Sequence, residues 1–277
     1  MTRIEAYRDA LNAASDWDAY LRRHSGLPGP RGNLELAQAV AGIGDAALFR
    51  RYAALGPDKA PQNTPDEFLA FCGVLGLGEL ASRGSSPALA SMRKHAADPR
   101  WRIREAVAMG LQRVGDRDMG GLLRVVRPWA AGNHLDKRAA AAALAEPRLL
   151  DEPRHRRAAL AILDRITRSV EKTPVRHRDS SFRILRQGLA YAWSVLVAAD
   201  FGAGKPFMEK WMRSPDPDIL WIMQQNLKKA RLARADRGWV TRWSRTLASR
   251  PRKGAKARGG GKGQGARGET QDARTES

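Results

Sequence analysis

The stretch that decides the fold is Asp98-Pro99-Arg100-Trp101-Arg102-Ile103-Arg104-Glu105-Ala106-Val107-Ala108-Met109-Gly110-Leu111. Its apolar residues Ile103, Ala106, Val107, Gly110 and Leu111, with Val114 behind them, recur at the three- and four-residue spacing of a helix with one buried face. Asp98 is a capping residue and Pro99 suits a first turn, so the helix is expected to start at this pair. Gly115-Asp116 is expected to stop it. Just beyond, Met119 to Ala130 places Leu122, Val125, Val126 and Trp129 on one side, and Pro128 is expected to fray its end. Two amphipathic helices joined by a few residues pack as an antiparallel hairpin.

The unit recurs along the chain. Arg104 to Leu111 aligns with Lys137-Arg138-Ala139-Ala140-Ala141-Ala142-Ala143-Leu144 at an offset of 33 residues, counted from Leu111 to Leu144. Ser214-Pro215-Asp216-Pro217-Asp218 repeats the Pro-led entry and leads into Ile219 to Leu227. Helices are also expected over Arg154 to Arg168 and Phe182 to Ala199, the latter partnered by Pro206 to Trp211. Strand alternation is almost absent. The expected fold is therefore all-α, a right-handed α-solenoid of HEAT-like antiparallel helix pairs over residues 65–248. Irregular capping helices are expected in 1–64, at Ile4 to Ala14, Trp17 to His24, Asn33 to Ile43 and Asp45 to Ala54. Residues 249–277, rich in Gly, Lys and Arg without large apolar residues, read as a disordered basic tail.

Composition limits the function. The formal charge is +20, and between Arg250 and Ser277 eight Lys/Arg less three acids account for +5 of it, leaving +15 on the body. Such a field attracts polyanions, nucleic acid or an acidic protein surface. Apolar runs such as Ala139 to Ala145 fall short of the ~20 residues of a membrane span, and Met1-Thr2-Arg3-Ile4-Glu5 is unlike a secretory signal, so a cytoplasmic chain is expected. Cys72 is a lone cysteine among apolar residues, read as buried. His24, His95, His134, His155 and His177 form no helical metal pair, so neither metal nor other cofactor is expected. Gly202-Ala203-Gly204-Lys205 has the look of a phosphate loop but precedes Pro206 and follows a helix, and reads as a turn.

The Asp98 to Leu111 phrase, with its Asp-Pro entry and following Arg, Ala and Leu, resembles the inner helix of a HEAT repeat. Together with Ser214 to Leu232 it resembles, distantly, the HEAT-like DNA-alkylation-repair glycosylases. That resemblance implies a DNA-holding concave face and an acidic residue among aromatics at the damaged nucleotide. Trp101 and Glu105, one helical turn apart, are the matching positions, with Arg138 on the next repeat. Glu105 stands where those enzymes usually carry Asp.

Eight tryptophans outnumber the six phenylalanines and four tyrosines. Most are expected to fill the gaps between helices. Trp101 and Trp221, each close to basic residues, are the ones expected to face nucleic acid. The proposed contact set is Trp101, Arg102, Arg104, Arg138, Trp221, Asn226, Lys228, Lys229 and Arg231. The expected activity is that of a binding scaffold, as a monomer; the alternative is a glycosylase in which Glu105 is catalytic.

Overall fold

A computed structural model describes residues 1–250 of the chain, and among them every regular element is helical. The helices are α1 (Arg3–Ala13), α2 (Trp17–His24), α3 (Leu34–Ile43), α4 (Ala46–Ala53), α5 (Pro65–Ser82), α6 (Ser86–His95), α7 (Trp101–Arg117), α8 (Met119–Trp129), α9 (His134–Leu144), α10 (Pro153–Glu171), α11 (Ser180–Ala199), α12 (Phe201–Met212), α13 (Pro217–Leu227), α14 (Ala230–Ala235) and α15 (Arg237–Ala248). None is long and apolar enough to cross a membrane. No group of three or more potential metal ligands occurs among the described residues. The basic segment expected to be disordered lies almost wholly outside them; of its first residues, Ser249 closes α15 and Arg250 donates to the Ser214 carbonyl.

Side-chain caps explain most of the starting points. Thr2, Asp16, Asn33, Asp45, Thr64, Asp179 and Asp236 each accept a hydrogen bond from the backbone N–H three residues on, satisfying donors that a helix leaves open. Asp216 does the same ahead of Pro217, as its Pro-led entry implies. Asp98 does not. Its carboxylate takes the Arg100 backbone N–H and guanidinium instead, and α7 opens at Trp101 with no side-chain cap. A guanidinium answers the charge of the carboxylate more strongly than an amide, so local pairing outcompetes capping.

Two expected breaks are not breaks. Gly115 lies inside α7, where an added Cβ would crowd Leu122 and Leu149. Gly202 to Lys205 belongs to α12, which Asp200 caps through the Ala203 N–H. Gly204 there lies against the Val197 backbone, so glycine serves helix contact and not a turn. Pro128 sits in the last turn of α8, which ends at Trp129, one residue short of the expected Ala130.

Helices α1, α3, α5, α7, α9, α11 and α13 touch in that order, and α4, α6, α8, α10, α12 and α15 each pack on members of this row. The N-terminal helices join this row directly, through α3 against α5. Contacts Glu67–Arg102, Gly78–Gly110 and Glu79–Arg113 advance together along α5 and α7, so the two run parallel. Trp129, Trp193, Trp211 and Trp239 are all buried. The indole N–H groups of the last three donate to Thr167, Asp164 and Glu209 respectively, which removes the cost of burying them.

The backbones of α5 and α7 approach so closely at Gly78 and Gly110 that a Cβ on Gly78 would overlap the Gly110 Cα. A Gly78→Ala chain is therefore expected to lose about 1–3 kcal/mol despite the better helix propensity of alanine. Gly56→Ala, where nothing stands within 4 Å, should change stability by less than about 0.5 kcal/mol. Thermal unfolding of both variants checks the contrast.

Candidate nucleic-acid interface

A cleft of about 720 Å³ runs across the row, lined by residues of α1, α3, α7, α9 and α11 together with the Glu146–Arg148 segment. Successive helices present Glu105 (α7), Arg138 (α9) and Tyr191 (α11) to it. Each is placed by its helix register. Glu105 and Arg138 occupy matching positions of the 33-residue self-match, and Arg138 donates to the Glu105 carboxylate at 2.7 Å and to the Arg104 carbonyl at 2.8 Å. Glu105 nevertheless keeps 42% of its side-chain surface exposed. It is held in place without being enclosed.

Tyr191 lies off the Leu185, Leu189, Ala192 and Leu196 stripe that buries α11, and is 44% exposed. Its hydroxyl accepts from Arg231 at 2.9 Å, and the same guanidinium lies 4.7 Å from the ring centroid. Lys229 approaches that ring at 5.8 Å. Lys228 is exposed, bonded only to Gln225 at 3.4 Å. Tyr191 therefore joins the Glu105–Arg138 pair to the cationic start of α14. Tyr191 was not among the expected contacts; its departure from the buried stripe was the available signal.

Beside the cleft opens a smaller slot of about 230 Å³, lined by the Leu27–Leu34 loop, by Phe68 and Phe71 of α5, and by Trp101, Arg102 and Glu105 of α7. Trp101 is 44% exposed. Leu34 and Glu105 line both cavities, so the two are contiguous.

Other expected contacts turn inward. Arg102 is 6% exposed; it pairs with the wholly buried Glu67 and donates to the Gly29 carbonyl and Asn63. Asn226 is fully buried, bridging the Ser194 N–H to the Leu189 and Ile222 carbonyls. Both are corrections to the sequence reading: these side chains hold the row of helices together. Arg104 is half withdrawn and donates to the Asp98 and Pro99 carbonyls; burial, with Arg138 close by, holds its guanidinium below the usual arginine range. Trp221 stacks under Arg186, whose guanidinium lies 3.7 Å from the ring and also pairs with Asp218. Trp221 does not line the cleft.

Comparison of the chain with protein-family models, with curated proteins and with solved structures finds no match. The cleft's own chemistry is then the guide to function.

The two classes of arginine should separate in stability. Arg102→Ala leaves the Glu67 carboxylate buried and unpaired, an expected loss of about 3–5 kcal/mol. Arg231→Ala removes a surface cation and should cost less than about 0.5 kcal/mol. Chemical denaturation of the two variants tests this.

Proposed function

We propose that the row of helices is a right-handed HEAT-like α-solenoid whose cleft binds nucleic acid, duplex DNA in preference to an acidic protein surface, in the cytoplasm and as a monomer. The carrying observation is the continuity of Trp101, Glu105, Arg138, Tyr191 and Arg231 across α7, α9, α11 and α14. Exposed aromatic faces stack on bases or sugars, and cations beside them contact phosphates. Lys228, Lys229 and Arg231 add charge without sequence selectivity, as phosphate contacts do. The positive excess of the whole chain raises the rate of encounter.

Fluorescence anisotropy of end-labelled duplex DNA, titrated at several salt concentrations, tests the reading. Affinity should fall steeply as salt rises, and Lys229→Ala with Arg231→Ala should lower the logarithmic salt slope by about 1–2. Absence of binding at low salt, or an affinity indifferent to salt, rules out duplex DNA.

A second reading, a glycosylase acting on alkylated bases, is favoured by one observation: the half-exposed Glu105 carboxylate stands between an exposed tryptophan and an open cleft. In that reaction the N-glycosidic bond breaks, its electron pair leaves on the alkylated, cationic base, and the base departs neutral. The deoxyribosyl cation that develops at C1′ is stabilised by the carboxylate, and water adds there with loss of a proton. The arginine beside Glu105 fixes its orientation. Release of methylated base from alkylated duplex, measured by chromatography, should fall at least about 100-fold in Glu105→Gln. Unchanged release in that variant removes Glu105 from the reaction.

A further inference from the structure

The last described helix carries a charge that the cleft does not use. Between Lys228 and Arg250 eight Lys/Arg stand against one acid, Asp236, whose carboxylate accepts the Trp239 backbone N–H as the cap of α15. Trp239 and Leu247 are buried and, with the half-buried Trp243, turn toward the protein. Both indoles donate to Glu209 of α12, and the Trp239 ring meets Phe201 edge-on at 5.3 Å. The opposite side of α15 presents Arg237, Arg242 and Arg245, with Gly238, Thr241 and Ser244 between them, all exposed. Among the described residues none of the three guanidinium groups has an ion-pair or hydrogen-bond partner, and none lines the cleft.

A polar outer side is all that the terminal helix of a row requires for solubility. Helix α1, at the other end, meets that need with both signs, exposing Arg3, Glu5, Arg8 and Asp9. On α15 the single sign has a cost. Arg242 and Arg245 are three residues apart, and so are neighbours that repel. Arg245 lies in the last turn, where the helix dipole favours a cation, but Arg237 is the first helical residue, where the dipole opposes one. Elsewhere the fold sets arginines against carboxylates, as at Arg102 and Arg178. Here three are left for an anion from outside.

Spacing and chemistry identify that anion. The helix carries Arg237 to Arg245 over about 12 Å. One strand of a duplex presents a phosphate every ~3.4 Å along its axis, so about three to four lie within that span. The small residues between the arginines let a backbone approach closely. A bilayer would need outward apolar side chains, and the large ones of α15 face the protein. We propose that the outer side of α15 is a second phosphate-binding surface, separate from the cleft, which takes the backbone of a nucleic-acid duplex. With the cleft also occupied, one chain holds two duplexes and bridges them. The α15 surface goes beyond the cleft reading and stands without it; bridging alone rests on both.

The experiment saturates the full chain at low salt with an end-labelled DNA duplex of about one helical turn and counts duplexes per chain by sedimentation velocity. Three proteins are compared: the unaltered chain, an α15 variant with Arg237→Gln, Arg242→Gln and Arg245→Gln, and a control with Arg23→Gln, Arg50→Gln and Lys59→Gln. Both variants lose the same charge at exposed positions, and glutamine has a helix propensity close to that of arginine, so thermal unfolding should be unaltered in each. The α15 variant should hold one duplex fewer than the unaltered chain, and the control the same number. A count that falls from two to one leaves both surfaces standing; one that falls from one to none leaves α15 and overturns the cleft. An α15 variant that holds as many duplexes as the unaltered chain overturns the α15 surface, whatever the cleft does. Loss of a duplex from the control as well overturns it too, since net charge then decides binding. An unaltered chain that holds none overturns both surfaces. Cosedimentation with phosphatidylserine vesicles is the last comparison: retention abolished in the α15 variant, with its duplex count unchanged, assigns the surface to lipid and overturns nucleic acid.

Discussion

The contact on which the remaining geometry depends is the backbone approach of α5 and α7 at Gly78 and Gly110. Two glycines in helix interiors each cost about 0.5–1 kcal/mol in propensity, a cost offset here by letting two helices meet without intervening side chains. That meeting brings Arg113 onto Glu79, with Gln38 of α3 as a further partner, and seats Met92 of α6 against Gly110. It also leaves the N-terminal ends of the same two helices to be separated by bulky residues, Phe68 and Phe71 on one and Trp101 on the other. The slot lies there. A close approach at one level and large rings about three turns away thus set the shape of the surface that the cleft continues.

Charge in this protein serves two separate ends. Net charge counts every arginine alike, but Arg100, Arg102, Arg113, Arg178 and Arg186 are each paired with carboxylates on or between elements, with side chains 3–24% exposed. Buried pairs of this kind add little net stability, since desolvation opposes attraction, but removing one partner is costly, so they select one arrangement of helices over others. Burial holds the Arg186 guanidinium below the usual arginine range while Asp218 opposes that shift. Other cations, Arg31, Lys228, Lys229 and Arg231 among them, form no ion pair among the described residues and lie at the cavities or beside them. The formal charge therefore overstates the positive charge that is free of carboxylate partners.

Much of the fold was legible in the chain because it is written locally. Capping residues and four-residue apolar spacing fixed α2 at Trp17–His24, and placed α3 and α4 one residue inside the expected bounds. Glycine was the misleading signal. At Gly115, Gly202 and Gly204 it was read as a stop or turn from its backbone freedom, whereas at Gly115 and Gly204 its use is the missing side chain, which depends on a neighbour distant in sequence. The same distinction separates the site residues. Glu105 and Arg138, singled out from the resemblance, stand together at matching positions of the 33-residue self-match of α7 and α9. Arg102 and Asn226 could not be told from surface residues, since the carboxylate and the carbonyls that claim them lie on other helices. Helix α6 carried too weak an apolar stripe to be recognised at all.

The tryptophans sharpen this into a criterion for reading such surfaces. Trp193, Trp211 and Trp239 each find a hydrogen-bond partner for the indole nitrogen on a neighbouring helix, so their burial is complete in both its apolar and its polar part. Trp101 has the same side chain on an equally well packed helix, and keeps 44% of its surface in water. At about 25 cal/mol per Å² of apolar surface, that exposure forgoes stabilisation which four other tryptophans obtain by burial. Neither packing nor capping accounts for it, because α7 is already held by Gly110, Arg102 and Arg113. The surface left uncovered is an aromatic face beside an anchored carboxylate and an apolar recess.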